Sequence, residues 1–227
     1  MANLVITIDG PAASGKSTVA RRLAEKLGIS FLDTGAMYRA VTLAAIGAGV
    51  DMSDEPKLLQ VMKKSNFYFF AEQGEMRVCV DGVDVTEQIR RPEVTAQARY
   101  IASAPKLRER LVQMQRDFAA SQKRIVTEGR DQGTVAFPDA DIKFYLTADL
   151  SERAKRRQAE LWATGCTPAL EQIKQAIEER DKSDQNRAVG PLRPANDAIV
   201  IDTTGLSIEE VVEAALRYVE EKCSKKG

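Results

Sequence analysis

The feature that most restricts this chain lies between residues 4 and 27. An apolar, β-prone run, Leu4-Val5-Ile6-Thr7-Ile8-Asp9, empties into Gly10-Pro11-Ala12-Ala13-Ser14-Gly15-Lys16-Ser17-Thr18, which carries the Gly-x-x-x-x-Gly-Lys-Ser spacing of a P-loop. A helical pattern follows at once, with Val19, Leu23 and Leu27 on one face and Gly28 as a stop. Strand, glycine loop and helix N-terminus in that order make a phosphate cradle, because backbone N–H groups and the positive end of the helix dipole converge on one point. Gly10 through Thr18 therefore imply a seat for a nucleoside triphosphate. Lys16 is expected to reach the β- and γ-phosphates, and the Ser17 hydroxyl to ligate Mg²⁺.

Composition narrows the chemistry further. The chain has 227 residues, enough for one large α/β unit or a core with an insertion. Lys+Arg and Asp+Glu are 33 each, so no global basic field argues for a nucleic-acid partner. No apolar run approaches membrane-spanning length and the N-terminus lacks a signal-peptide pattern, so a cytoplasmic chain with no membrane partner is expected. Cys79, Cys166 and Cys223 are far apart and form no CxxC pair, which excludes a four-cysteine zinc site and speaks against a disulfide framework. There is no histidine. Proton transfer would fall to a carboxylate or to the substrate itself.

Along the chain, strand patterns recur at residues 29–32, 125–127, 142–147 and 198–201, separated by helical stretches. Five strands alternating with helices predict a doubly wound, parallel five-stranded sheet of P-loop NTPase type. Between them, residues 66–85 read as two or three short antiparallel strands, with Gln73-Gly74 and Asp81-Gly82 as turns, inserted on one side of the core. Residues 93–121 are mostly helical with a break at Pro105, and Lys225-Lys226-Gly227 reads as a tail.

Three further clusters bear on where a phosphate could go. Asp33-Thr34-Gly35-Ala36-Met37-Tyr38-Arg39 and Glu128-Gly129-Arg130-Asp131 each follow a strand, at the edge where α/β sheets collect ligands. Arg180, Asp184 and Arg187 recur at i, i+4 and i+7, which predicts one shared helical face, and Arg153 and Arg157 stand one turn apart. Such charges on a surface helix are usually solvated. Beside a P-loop they gain weight, since phosphoryl transfer needs fixed positive charge around the transferring group and water kept out.

The blocks Gly-Pro-Ala-Ala-Ser-Gly-Lys-Ser-Thr, Asp-Thr-Gly-Ala-Met-Tyr-Arg, Glu-Gly-Arg-Asp-Gln-Gly-Thr-Val, Phe-Pro-Asp-Ala and Arg-Asp-x-x-Asp-x-x-Arg together resemble the bacterial cytidylate kinases, in order from residue 4 to about residue 216. The resemblance implies ATP-dependent phosphorylation of CMP or dCMP with Mg²⁺, by a monomer acting on small nucleotides. It implies a core of residues 1–34, 122–150 and 188–227, a nucleoside-monophosphate-binding region with the β insertion over 35–121, and a helical lid over about 151–187. By the same resemblance Gly10–Thr18 hold the ATP phosphates. Thr34, Tyr38, Arg39, Arg130 and Arg187 face the acceptor, Arg180 and Asp184 its sugar, and Arg108 and Asp131 its cytosine. Lys16, Arg130, Arg153, Arg157 and Arg187 are the implied catalytic cations, with Arg153 and Arg157 on a mobile lid over ATP.

Cytosine presents an N4 amine that a carboxylate accepts well, beside N3 and O2 acceptors suited to arginine. Uracil reverses both contacts at its O4 and N3–H. Arg99 departs from the family, which has a small hydroxyl residue there; it either points to solvent or adds charge near the base. A GTPase would carry Asn-Lys-x-Asp and an ABC-type ATPase Leu-Ser-Gly-Gly-Gln, and neither occurs. Within kinases, uridylate or shikimate is the alternative acceptor.

Overall fold

The structure is a computed structural model that describes residues 4–72, 75–163 and 165–224. The expected Gln73-Gly74 turn and the terminal Lys225–Gly227 lie outside these. Strands β1 (Leu4–Asp9), β2 (Ser30–Asp33), β6 (Arg124–Gly129), β7 (Ile142–Thr147) and β8 (Ile199–Asp202) form one parallel sheet in the order β2-β6-β1-β7-β8. Alternation along the strands explains why helices cover both faces. Ile6, Ile8 and Val126 pack with α1 (Lys16–Leu27) and α8 (Ile208–Ser224), whereas Val5 and Ile125 point into a second cluster built on α2 (Thr34–Gly47) and α5 (Pro105–Gln122). The five-stranded, doubly wound sheet expected from the sequence is the one observed.

The insertion is a separate antiparallel sheet of β3 (Phe67–Glu72), β4 (Glu75–Val80) and β5 (Val83–Asp84), with Met76 and Val78 of β4 buried in the second cluster. Helix α3 (Glu55–Lys64) precedes it, and α4 (Pro92–Ser103) follows it. Prolines open α3, α4 and α5 within their first two positions, where the missing N–H costs nothing. Helices α6 (Leu150–Ala163) and α7 (Leu170–Gln185) form a pair with its own small apolar cluster. Ala154, Ile173 and Ile177 close on Ala12 of the P-loop, apart from the two main cores.

This topology decides where the site lies. From β1 the chain moves to one side of the sheet to form β2, and from β6 it moves to the other side to form β7. The C-terminal ends of β1 and β6 are paired at Asp9 and Gly129. An open α/β sheet leaves its ligand crevice at such a switch point. The P-loop leaves β1 there and Arg130-Asp131 leaves β6 beside it. No helix among the described residues is long and apolar enough to cross a membrane.

Candidate active site

The P-loop has the backbone its sequence demands. Gly15, at φ 85°, is the N-cap of α1 and offers no side chain to cap it, so the first-turn amides remain directed at the loop. At Gly10 a Cβ would collide with the Leu146 carbonyl oxygen, so the strand-to-loop turn tolerates only glycine. Lys16 is buried, with Nζ 3.4 Å from the Pro11 carbonyl oxygen and 3.9 Å from Glu128 Oε2. Burial pushes its pKa down to about 8, Arg130 pushes the same way, and Glu128 only partly offsets them. The Ser17 hydroxyl donates to Glu128 Oε1 at 2.9 Å. Burial raises the Glu128 carboxyl above its ordinary range.

On the β2 side, the Asp33 carboxylate caps α2 through the Ala36 N–H at 2.9 Å and accepts from Arg39 at 3.0 Å. Thr34 donates to the Glu128 carbonyl at 2.7 Å. Asp184 draws the remaining cations together: Arg130 Nε donates to one of its oxygens at 2.7 Å, and Arg187 donates to the other. Burial raises Asp184, but Arg130 and Arg187 outweigh it and hold the carboxyl below its usual range. Arg180 stays exposed to solvent, and desolvation by the surrounding protein, then Arg130, bring its pKa down to about 10. Ser14 Oγ and the Nε atoms of Arg39 and Arg187 are buried without a hydrogen-bond partner. Unpaired donors among crowded cations suit an anionic ligand.

Arg108, 2% exposed, and Asp131, 4% exposed, form an ion pair deep in the molecule. Arg108 also donates to the Ala102 carbonyl at 3.2 Å and lies over the Tyr38 ring, 5.7 Å from its centroid. Burial raises Asp131 even though Arg108 opposes it, and pushes the Tyr38 hydroxyl up to about 12. Arg99 is exposed and stacks on its neighbour Tyr100, 5.0 Å from the ring centroid, which resolves its two sequence alternatives toward solvent.

Two sequence expectations need correction or division. Arg187 does not share a helical face with Arg180 and Asp184, because α7 ends at Gln185; it reaches Asp184 by folding back after the helix. Arg153 and Arg157 do not act alike. Arg153 is buried, donating to the Ala148 carbonyl at 3.0 Å, to the Ala12 carbonyl at 3.1 Å, and to Asp181. Asp181 in turn accepts from the Ala12 N–H at 3.2 Å, so one P-loop peptide is gripped from both sides. Arg157 is exposed and pairs with Glu160 at 2.9 Å. Arg156, which the sequence did not single out, binds the Thr203 carbonyl at 2.7 Å and lies beside Gly15. Glu128 and Asp181 were likewise unassigned, although Glu128 stands one residue before Gly129, Arg130 and Asp131 as Asp9 stands before the P-loop.

A parallel sheet with a P-loop at its switch point, ringed by arginines, defines a phosphate-handling α/β protein. Its relatives define it further. The cytidylate kinase family model matches residues 6–221. A cytidylate kinase of Pelotomaculum thermopropionicum is 51% identical over 216 residues, covering 94% of this chain and 95% of the relative. A cytidylate kinase of Actinobacillus succinogenes is 44% identical over 225 residues, covering 96% and 99%. The chain belongs to the cytidylate kinase family. Among solved structures, an uncharacterized protein from Eubacterium ventriosum superposes with a TM-score of 0.54 at 14% identity, covering 96% of this chain and 99% of that one, a likeness of fold alone.

Proposed function

We infer that this chain transfers the γ-phosphoryl group of ATP to CMP or dCMP, giving ADP and CDP or dCDP. Family membership over nearly the whole chain carries the reading. The acceptor phosphate oxygen forms the new bond to phosphorus while the bond to the β-phosphate oxygen breaks, and ADP leaves. A phosphate monoester loses its second proton near pH 6, so the nucleophile is already ionised at neutral pH. No side chain need remove a proton, in keeping with a chain that has no histidine.

The roles divide along the crevice. Gly10–Thr18 cradle the donor phosphates, with Lys16 at the β- and γ-oxygens. Arg39, Arg130 and Arg187, with Thr34, neutralise the acceptor phosphate; Arg180 and Asp184 face the sugar; Arg108, Asp131 and Tyr38 surround the base. Arg157, and Arg153 by tying the helix pair to the P-loop, belong to a lid over about residues 151–187. Mg²⁺ fits the hard oxygen donors present, the Ser17 hydroxyl with the Glu128 carboxylate 2.9 Å from it, since Mg²⁺ commonly takes few protein ligands beside nucleotide phosphates. The Ser17 hydroxyl would hold it, and when bound it neutralises phosphate charge. A monomer working on small nucleotides in the cytoplasm is the matching physiology.

The test is ADP release measured across a panel of CMP, dCMP, UMP, AMP and shikimate. Turnover that requires CMP or dCMP supports the reading. ATP consumed without any acceptor would favour a nucleotide-operated switch, and a preference for UMP or shikimate would replace the acceptor.

A further inference from the structure

Asp9 is the last residue of β1 and stands immediately before the P-loop, outside its motif. It is 4% exposed, and it makes no ion pair within 4 Å that the structure describes. Both its oxygens are engaged. Oδ1 accepts from the Gln132 N–H and Oδ2 from the Gly133 N–H, each at 2.8 Å, across more than 120 residues of sequence. Those two amides directly follow Asp131 and open a turn of five residues, Gln132–Ala136, whose far end is closed by the Val135 and Ala136 N–H groups on the Asp131 carbonyl. The Gln132 side chain is held as well, accepting from Thr127 at 2.9 Å and donating to Gln115 at 3.3 Å. Gly133 lies so close to β1 that a Cβ there would stand 3.0 Å from Thr7 Oγ1.

We propose that Asp9 is a positioning residue for base specificity: its carboxylate fixes the Arg130-Asp131 turn to the end of β1, so that one group sets the base-reading turn in register with the P-loop. This rests on Asp131 facing the base, as proposed above. A carboxylate is suited to the task because it offers two acceptor oxygens and no donor, matching two adjacent N–H groups. A movement of the turn displaces Asp131 relative to the base while the P-loop amides, carried by α1, keep their places. A displacement of about 1 Å at a positioned group can cost on the order of a hundredfold.

Asp9→Asn is the direct test. The amide keeps the volume, but its NH₂ group must face one of the two N–H donors, and one charge-assisted hydrogen bond is lost. The expected result is a kcat/KM for CMP lower by roughly tenfold, a smaller CMP/UMP ratio, and an unchanged KM for ATP. A general structural role would instead lower turnover of both acceptors alike. Gly133→Ala moves the same turn without touching the Asp9 side chain, by crowding Thr7, and it should shrink the ratio in the same direction. It carries the test should Asp9→Asn fail to fold. An unchanged CMP/UMP ratio in the folded Asp9→Asn protein, or in Gly133→Ala where that is the folded variant, overturns the proposal. A wild-type enzyme without preference for CMP over UMP overturns the underlying reading instead, and the proposal with it.

Discussion

Two buried cations of the crevice are treated in opposite ways. Lys16 faces its nearest carboxylate, Glu128, at 3.9 Å, too far for a close hydrogen bond, and burial depresses its pKa to about 8. Arg108 is hydrogen-bonded directly to Asp131 and to a backbone carbonyl, with the Tyr38 ring beneath it. A buried charge without a close partner destabilises the free protein and is relieved by an anionic ligand. A triphosphate therefore gains affinity at Lys16 beyond what its contacts alone suggest. At the Arg108–Asp131 pair a base gains little net energy, because each hydrogen bond it makes replaces one the protein already has. What it supplies there is discrimination, since a base of the wrong pattern leaves a buried charge unpaired. The phosphate end is built for affinity and charge stabilisation, the base end for specificity.

Removing the lysine breaks the phosphate end most severely. Lys16→Ala deletes a cation aimed at charge that develops during transfer, and a loss of about 10³-fold in kcat is expected, with the fold retained. Near-normal turnover in a folded Lys16→Ala protein would separate the P-loop from the chemistry.

Asp131→Asn sharpens the contrast. The amide keeps the volume and can donate to uracil O4 or, flipped, accept from cytosine N4. Loss of one charge-assisted hydrogen bond is worth roughly 1.5–3 kcal/mol, about ten- to a hundredfold in kcat/KM for CMP, with UMP losing far less. Comparing both acceptors on both proteins controls for general damage. Should the CMP/UMP ratio hold at its wild-type value, Asp131 does not read the base and Arg108 becomes the better candidate.

The phosphate end should also carry a pH signature that the base end lacks. Lys16 titrates near pH 8 in the free protein against an ordinary 10.5. As pH rises past 8 the folded chain releases this proton before the unfolded chain does, so kcat/KM for ATP should fall by up to about tenfold per unit. The Lys16 contribution to stability has the opposite sign. The unfolded state binds more protons between about pH 8 and 10.5, and stability from this group rises with pH across that window. Initial rates at low ATP, alongside thermal melts from pH 7 to 10, read both. A flat kcat/KM profile through pH 9 would mean that Glu128 holds the Lys16 proton more firmly than burial releases it.

Much of this was legible because it is local in the chain. The P-loop and the Gly28 helix stop are read within a few residues, and the parallel sheet follows from alternating strands and helices. What the sequence concealed is what long-range contacts decide. Arg153 and Arg157 are indistinguishable by spacing, yet Ala12, 141 residues away from Arg153, takes one of them into a buried clamp and leaves the other in water. Arg156 was missed because its partner, Thr203, lies 47 residues further along the chain, just after β8. Arg187 was misplaced by extending the helical period beyond Gln185, where the chain turns back on Asp184.

The smallest expected effect lies on that helix pair and tests whether the phosphate end extends to it. The Arg157–Glu160 contact is an exposed i,i+3 pair with the arginine side chain 44% exposed, and such pairs contribute less than about 1 kcal/mol. Arg157→Ala should leave the melting temperature essentially in place. If Arg157 turns to the ATP phosphates when the lid closes, kcat should fall nonetheless, though by less than Asp131→Asn costs CMP. Hydrogen exchange over residues 150–187 should then show protection gained with ATP and CMP together, because the apolar seat of these helices in the free protein is small, built around Ala12, Ala154, Ile173 and Ile177. Unchanged kcat together with equal protection in the free and doubly bound protein would return Arg157 to a solvated surface pair. The affinity-building end of the crevice would then stop at Arg153.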